Sequence, residues 1–455
     1  VTPTLYSPEF YENFAEGAAS SAAVVVPLLD ELIAPRSVLD VGCGAGIWLA
    51  EWQRRGTAIA GIDGAYARDS LVIPDDIFTA ADLTTPGWTL EHRFDLVMCL
   101  EVAEHLPKRA AKQFIEGLCA HSDIIAFSAA VPNQGGIGHL NERWPSWWTR
   151  IFAALGYHPY DLIRERIWWN QQVEWWYRQN LIIFATPSQA QARGFTTPKR
   201  SLDLAQPALL IPELQPRIKA TVCIPWRPTP SRIAPFARIM DFWPMFGWPI
   251  ITADSDTEIF SLAQARNNAV RQAKTDIVVI SDADTLIDPL NVLRAAADPT
   301  GIWWPFDKYR VISPEYLDTP ISELINVPHV NTWDGAGIAG VGGAIITSQK
   351  EYWRLGGTPP EFCGWGWEDT TFTLIARTLS TVRRLSGCVY AFEHNRDADR
   401  YIGARADSPG WDRDITRNKK LFDYYRPGDG RAWLMRELIA QRPEPSHNAH
   451  TDKHP

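Results

Sequence analysis

The chain has 455 residues, 45% hydrophobic and 21% charged, which supplies large cores and excludes a mostly disordered protein. That length favours two or three domains. With 44 basic and 53 acidic side chains the formal net charge is −9, so nucleic-acid binding by phosphate neutralisation is a poor expectation.

Polar Thr2-Pro3-Thr4 leads into an apolar run from Ala18 to Leu29, too short for a bilayer and interrupted by Ser20, Ser21 and Pro27. Six scattered cysteines (Cys43, Cys99, Cys119, Cys223, Cys363 and Cys388) form no Cys-x-x-Cys pair, which argues against a zinc ribbon or a disulfide framework. These features predict a soluble, cytoplasmic, reduced protein. Ser37-Val38-Leu39-Asp40-Val41, Ala58-Ile59-Ala60-Gly61-Ile62, Phe94 to Cys99 and Asp123 to Phe127 read as buried strands alternating with helical patterns. Ala220 to Pro225 and Asp276 to Ile280 repeat that pattern further on. Both halves are therefore expected to be α/β, with parallel sheets covered on both faces and ligands at the strands' carboxyl ends. Tryptophan is frequent up to Trp176 and then absent until Trp226, and the interval is rich in proline and small polar residues. This predicts one domain over 1–186, a linker over 187–217, a second domain over 218–424, and an extension with a frayed tail over 425–455.

The first predicted strand runs into Gly42-Cys43-Gly44-Ala45-Gly46 and then into helical Ile47 to Trp52. Alternate glycines let the backbone turn tightly beside a ligand at a helix start. Asp63 closes the next strand about twenty residues on, where a carboxylate can accept from a ribose diol. Asp82 follows a third short strand, within reach of an adenine amino group.

The order Asp-x-Gly-x-Gly-x-Gly, joined to Phe94-Asp95-Leu96-Val97-Met98-Cys99-Leu100-Glu101-Val102-Ala103-Glu104-His105, resembles the class I S-adenosylmethionine-dependent methyltransferases across 30–185. The resemblance implies a Rossmann-like sheet and cofactor contacts at Asp40, Gly42, Gly44, Gly46, Asp63 and Asp82, with Leu100 and Glu101 on the methionine side. After the fifth strand comes a glycine-rich polar loop, Val131 to Trp144, in the acceptor position. His139 there is a candidate general base for a hydroxyl acceptor, or a residue that only hydrogen-bonds its loop. Glu101, Glu104, His105 and His139 also make a candidate oxygen/nitrogen metal cluster.

Further on, Ile277 to Ile280 ends in Ser281-Asp282-Ala283-Asp284. Two carboxylates at a strand end can face one divalent cation bridging a diphosphate. Gly342-Gly343, Gly364-Trp365-Gly366-Trp367-Glu368-Asp369-Thr370 and Phe392-Glu393-His394 follow in order. The set resembles the GT-A glycosyltransferases, nearest the β-1,4-galactosyltransferases and the polypeptide N-acetylgalactosaminyltransferases, over about 218–400. It implies manganese or magnesium on Asp282, Asp284 and His394, and a nucleotide-sugar donor (a UDP-sugar) held by Arg227, Asp254, Asp282 and Trp365. By that likeness Asp369 is the base of an inverting transfer and Glu368 holds an acceptor hydroxyl. Thr370 departs from the galactosyltransferase pattern, where a second aspartate stands.

The expectation is a bifunctional enzyme that glycosylates and O-methylates a polysaccharide, a glycolipid or a phage structural protein. The alternatives are one degenerate domain serving as a docking module, or a modifier of hydroxylated DNA bases, which the acidic balance opposes.

Overall fold

A computed structural model describes residues 8–85, 87–88, 90–198, 201–257, 260–334, 342–364, 366–394 and 410–441. The chain divides into two compact units whose boundary in sequence lies between Arg217 and Ile218.

The first unit is built on seven strands: β1 (Ser37–Val41), β2 (Ala58–Asp63), β3 (Phe78–Ala80), β4 (Leu96–Leu100), β5 (Ile124–Ser128), β6 (His158–Tyr160) and β7 (Ile182–Ala185), in the order 3-2-1-4-5-7-6. Strands β1 to β5 pair in parallel, while β7 runs against both of its neighbours. Successive side chains alternate between two cores, Val38 and Met98 entering one and Leu39, Val41, Val97 and Cys99 the other. Both faces are buried, which is why these strands are apolar throughout rather than alternating.

One face is covered by helix α1 (Pro8–Ile33), whose Ala22, Val25, Val26, Leu29 and Ile33 recur at three- and four-residue steps and are buried. The apolar run of the N-terminus is thus a core-facing helical stripe, each large aliphatic contributing about 2 kcal/mol of burial. Helices α2 (Ala111–His121) and α3 (Pro145–Ala154) cover the other face with Phe114, Leu118, Trp148 and Phe152.

Residues 187–217 differ from the expected linker. They belong to the first unit and contain the helices Pro187–Arg193 and Pro207–Leu210. Ser146 donates through its N–H and its hydroxyl to Asp203 (2.8 and 2.7 Å), Arg164 Nη1 to the Leu202 carbonyl (2.9 Å), and the Gln206 N–H to Gln179 Oε1 (2.8 Å). Ala190, Ala208 and Leu214 are buried. The segment carries no tryptophan, but Phe195 packs against the core beside Tyr160, and backbone and small polar groups anchor the rest.

The second unit contains β8 (Ala220–Pro225), β9 (Ile250–Ala253), β10 (Ile277–Ser281), β11 (Thr285–Ile287), β12 (Ile302–Trp304), β13 (Lys308–Ile312), β14 (His329–Asp334), β15 (Ala344–Ser348), β16 (Val382–Arg384) and β17 (Cys388–Phe392). They form a six-stranded sheet, 16-12-15-10-8-9, and a four-stranded sheet, 11-17-13-14. The larger sheet is mixed rather than parallel, because β15 runs against both β10 and β12. Within 425–455, helix Ala432–Ala440 packs on helix α4 (Glu368–Leu379), and the expected frayed tail, 442–455, lies outside the described residues. Among the described residues no helix is long and apolar enough to cross a membrane.

Candidate active sites

Strand β1 ends at Val41, and the N–H groups of Gly42 and Cys43 both donate to the Ile62 carbonyl (2.7 and 3.2 Å), tying the glycine loop to β2. Gly42, Gly44 and Gly46 have φ of 82°, 52° and 80°. A Cβ on Gly42 would lie 2.3 Å from Val102 Cγ2, so both conformation and space demand glycine there. At the end of β2, Asp63 Oδ2 accepts from Gly44 N (2.7 Å) and Oδ1 from Gly64 N (2.6 Å). Burial raises the Asp63 carboxyl against those hydrogen bonds, and burial together with Asp63 pushes Asp40 up to about 8. Leu100 is buried, whereas Asp82 is exposed and accepts from the N–H and hydroxyl of Thr84 (2.9 and 2.6 Å).

Residues 14–162 match the family described as "Methyltransferase domain". The N-terminal region is a class I S-adenosylmethionine-dependent methyltransferase domain. Curated relatives include the ubiquinone biosynthesis O-methyltransferases of Neisseria meningitidis serogroup C, 36% identical over 118 residues (23% of this chain, 48% of the relative), and of Pseudomonas entomophila, 34% identical over 82 residues (16% and 35%). The chain therefore spans less than half the length of these relatives. Solved structures that resemble it include the amino pentose methyltransferase CalS10 from Micromonospora echinaspora (17% identity, TM-score 0.30, 38% of this chain and 94% of that one) and Streptomyces venezuelae DesVI (13%, 0.31, 41% and 99%).

The cofactor of this domain class, S-adenosylmethionine, fits the residues present. The glycine loop admits no side chain at Gly42, and the Asp63 carboxylate, already carrying two N–H donors, keeps acceptor capacity for a diol.

Beyond β4, Glu101 has φ 55°, and its carboxylate accepts from Gln134 Nε2 (2.9 Å) and Asn180 Nδ2 (3.0 Å). Gln134 belongs to the loop 131–144 of the methyltransferase domain. Its Oε1 in turn accepts from Asn180 Nδ2 (2.9 Å). Neither Gln134 nor Asn180 was a candidate from sequence, because amides in polar loops carry no distinguishing signal.

The chain turns through the 3₁₀ segment Ala103–His105 and brings three ligand atoms, one each from Glu104, His105 and His139, within 4.8 Å of one another. Glu104 is fully buried, beside Glu101 and the backbone N–H groups of Glu104 and Ala130. Burial, reinforced by Glu101, holds its carboxyl well above the usual range. His105 is lowered to about 4, chiefly by burial and then by His139, while a bond to the Gly138 backbone opposes the shift. The two rings stand edge to face with centroids 4.9 Å apart. His139 Nδ1 lies 3.0 Å from Glu142 Oε1.

In the second unit, Asp282 and Asp284 follow β10 as expected. Asp282 N donates to the Gly343 carbonyl and Phe392 N to the Asp284 carbonyl (2.8 and 2.9 Å), so the pairings of β10 with β15 and β11 with β17 bring these distant segments together. His394 Nε2 lies 3.1 Å from Asp284 Oδ2, and Arg232 Nη2 lies 3.6 Å from the same oxygen. Asp282 has partners of its own. Asp282 Oδ1 accepts from Arg266 Nη2 and Oδ2 from Gly343 N, both at 2.7 Å. Buried Arg266 also donates through Nη1 to Asp369, so a guanidinium occupies the space between the two carboxylates.

Arg227 and Asp254 do meet, but as a bidentate pair with each other (2.8 and 2.7 Å). Glu368 and Asp369 open helix α4. Burial, with Asp369 alongside, pushes Glu368 up to about 8, and its Oε2 is buried without a partner. Trp365 lies outside the described residues. Arg266 was missed by sequence reasoning, although an arginine among buried Ala263, Ala265 and Ala269 on one helix, Leu262–Gln272, is a signal that a buried acid faces it.

Proposed function

We propose that the methyltransferase domain transfers the methyl group of S-adenosylmethionine to a hydroxyl oxygen of an acceptor held by loop 131–144, assisted by a divalent cation on Glu104, His105 and His139. One observation carries this reading: a fully buried carboxylate stands beside two imidazoles, with ligand atoms within 4.8 Å of one another. A carboxyl buried there keeps its proton until a cation takes the proton's place. The bond of His139 Nδ1 to Glu142 occupies one ring nitrogen and leaves the other for a cation, the usual outer-shell arrangement of a ligating histidine. A divalent cation held by Glu104, His105 and His139 would lower the pKa of an acceptor hydroxyl, whose proton would pass to solvent as its oxygen takes the methyl group and S-adenosylhomocysteine leaves. The curated relatives, which are O-methyltransferases, support oxygen as the acceptor atom. In this reading His139, a candidate base from its sequence, serves a cation instead.

The test is binding of Mn2+ followed by electron paramagnetic resonance. The wild-type chain should bind it, and Glu104→Gln and His139→Ala should each weaken binding at least tenfold while S-adenosylmethionine affinity stays within about threefold.

We propose further that the second unit is a GT-A glycosyltransferase that inverts a nucleotide sugar, so that the whole chain carries both activities toward one glycan. The adjacency of Asp284 and His394 supports this, as does the Arg266 bridge that sets Asp369 beside Asp282. In this reading Asp284 and His394 hold manganese or magnesium, Asp369 takes the acceptor proton, and Glu368 holds an acceptor hydroxyl. Asp369→Asn should abolish sugar transfer while calorimetry with a UDP-sugar and Mn2+ still detects binding; retained turnover would remove the assignment.

A further inference from the structure

Glu142 gathers three donors from its own loop. Its Oε2 accepts from Asn133 N (2.9 Å), and its Oε1 accepts from Gly135 N (3.0 Å) and lies 3.0 Å from His139 Nδ1. An ionised carboxylate can only accept, so the imidazole nitrogen facing it must carry the ring proton, and the lone pair falls on Nε2. The His139 and Glu142 side chains are only 13% and 22% exposed, which limits competition from water for this bond.

The two backbone bonds matter equally. Asn133, Gly135, Gly136 and Gly138 all have positive φ, and ordering three glycines costs more backbone entropy than ordering other residues. Glu142 ties both 133 and 135 to 139. Gly136 is held so near the ring that a Cβ there would stand 2.3 Å from His139 Nε2. The loop and the imidazole are thereby located by one side chain.

We propose that Glu142 is the positioning residue of this site: it selects the Nδ1–H tautomer of His139 and fixes the loop so that Nε2 joins Glu104 and His105. In its metal-binding consequence the inference rests on the cation-assisted reading above, whereas the tautomer is a property of the chain alone. The experiment compares the full-length wild type with Glu142→Ala, with isosteric Glu142→Gln in case the alanine variant fails to fold, and with Glu142→Asp as the conservative rescue. Long-range 1H–15N correlation on histidine-labelled protein, assigned with His139→Asn, reads the tautomer. Mn2+ titration reads the site, and calorimetry reads S-adenosylmethionine.

The expected result is Nδ1–H in the wild type and loss of that preference in Glu142→Ala and Glu142→Gln. Mn2+ affinity should fall 10- to 100-fold in both, S-adenosylmethionine affinity should be unchanged, and Glu142→Asp should recover part of both losses. Retention of the Nδ1–H tautomer in both Glu142→Ala and Glu142→Gln would overturn the inference. A wild type that binds no Mn2+ while its tautomer still depends on Glu142 would uphold the positioning role and remove the cation reading.

Discussion

At the scale of single residues, the candidate sites are places where charge is buried. Asp40 illustrates the consequence. Its folded-state pKa of about 8 stands above the ordinary aspartate value of 3.8, so between those values the folded chain holds a proton that the unfolded chain has released. Stability is then full below about pH 4 and is lost as pH rises toward 8. Asp40→Asn removes that proton linkage. In thermal unfolding of the ligand-free protein between pH 5 and 8.5, the melting temperature of the variant should gain on the wild type as pH rises; a constant offset would contradict the assignment. The cost that the wild type bears is of the kind active sites accept, where burial sets the protonation state that a ligand meets.

At the scale of elements, strand ends and the loops after them do the positioning, and the segments that secure those loops are not always those with the strongest pattern. The bond from Gln206 N to Gln179 Oε1 connects the segment 187–217 to a residue whose Nε2 also donates to Gln134 Oε1 (3.2 Å), and Gln134 in turn donates to Glu101. A chain ending at 186 loses this anchor and the burial of Ala190, Ala208 and Leu214, about 1.5 to 3 kcal/mol for the leucine alone. Residues 1–186 expressed alone should melt several degrees below residues 1–217, as read by circular dichroism. Equal melting temperatures would show that the segment is a tether after all.

At the scale of the whole molecule, each compact unit has its own sheet system, and each carries its own candidate site. Separate cores predict separate unfolding. Scanning calorimetry should resolve two transitions, and S-adenosylmethionine at 100 times its dissociation constant should raise only one of them, by about 2.7 kcal/mol of added stability. A single transition that shifts as one would mean that the units unfold cooperatively. The expectation of two activities in one chain depends on this independence, since each site must hold its geometry without the other's ligand.

Much of the methyltransferase domain was legible in the residue order. The glycine loop, Asp40 and Asp63 are set by local demands: a left-handed turn that only glycine accepts, and acids a fixed distance along parallel strands. The Asp282-x-Asp284 pair was legible for the same reason, as it follows directly on an apolar strand. Tertiary structure alone decided what these acids face. That Arg266 stands between Asp282 and Asp369, that Arg227 pairs with Asp254, and that Glu142 holds His139 depend on contacts made after the chain has folded. The mixed direction of the second sheet and the anchoring of 187–217 belong to the same class. Local patterns report backbone conformation and burial, whereas the partner of a buried charge is chosen among all the groups that folding brings within hydrogen-bonding reach.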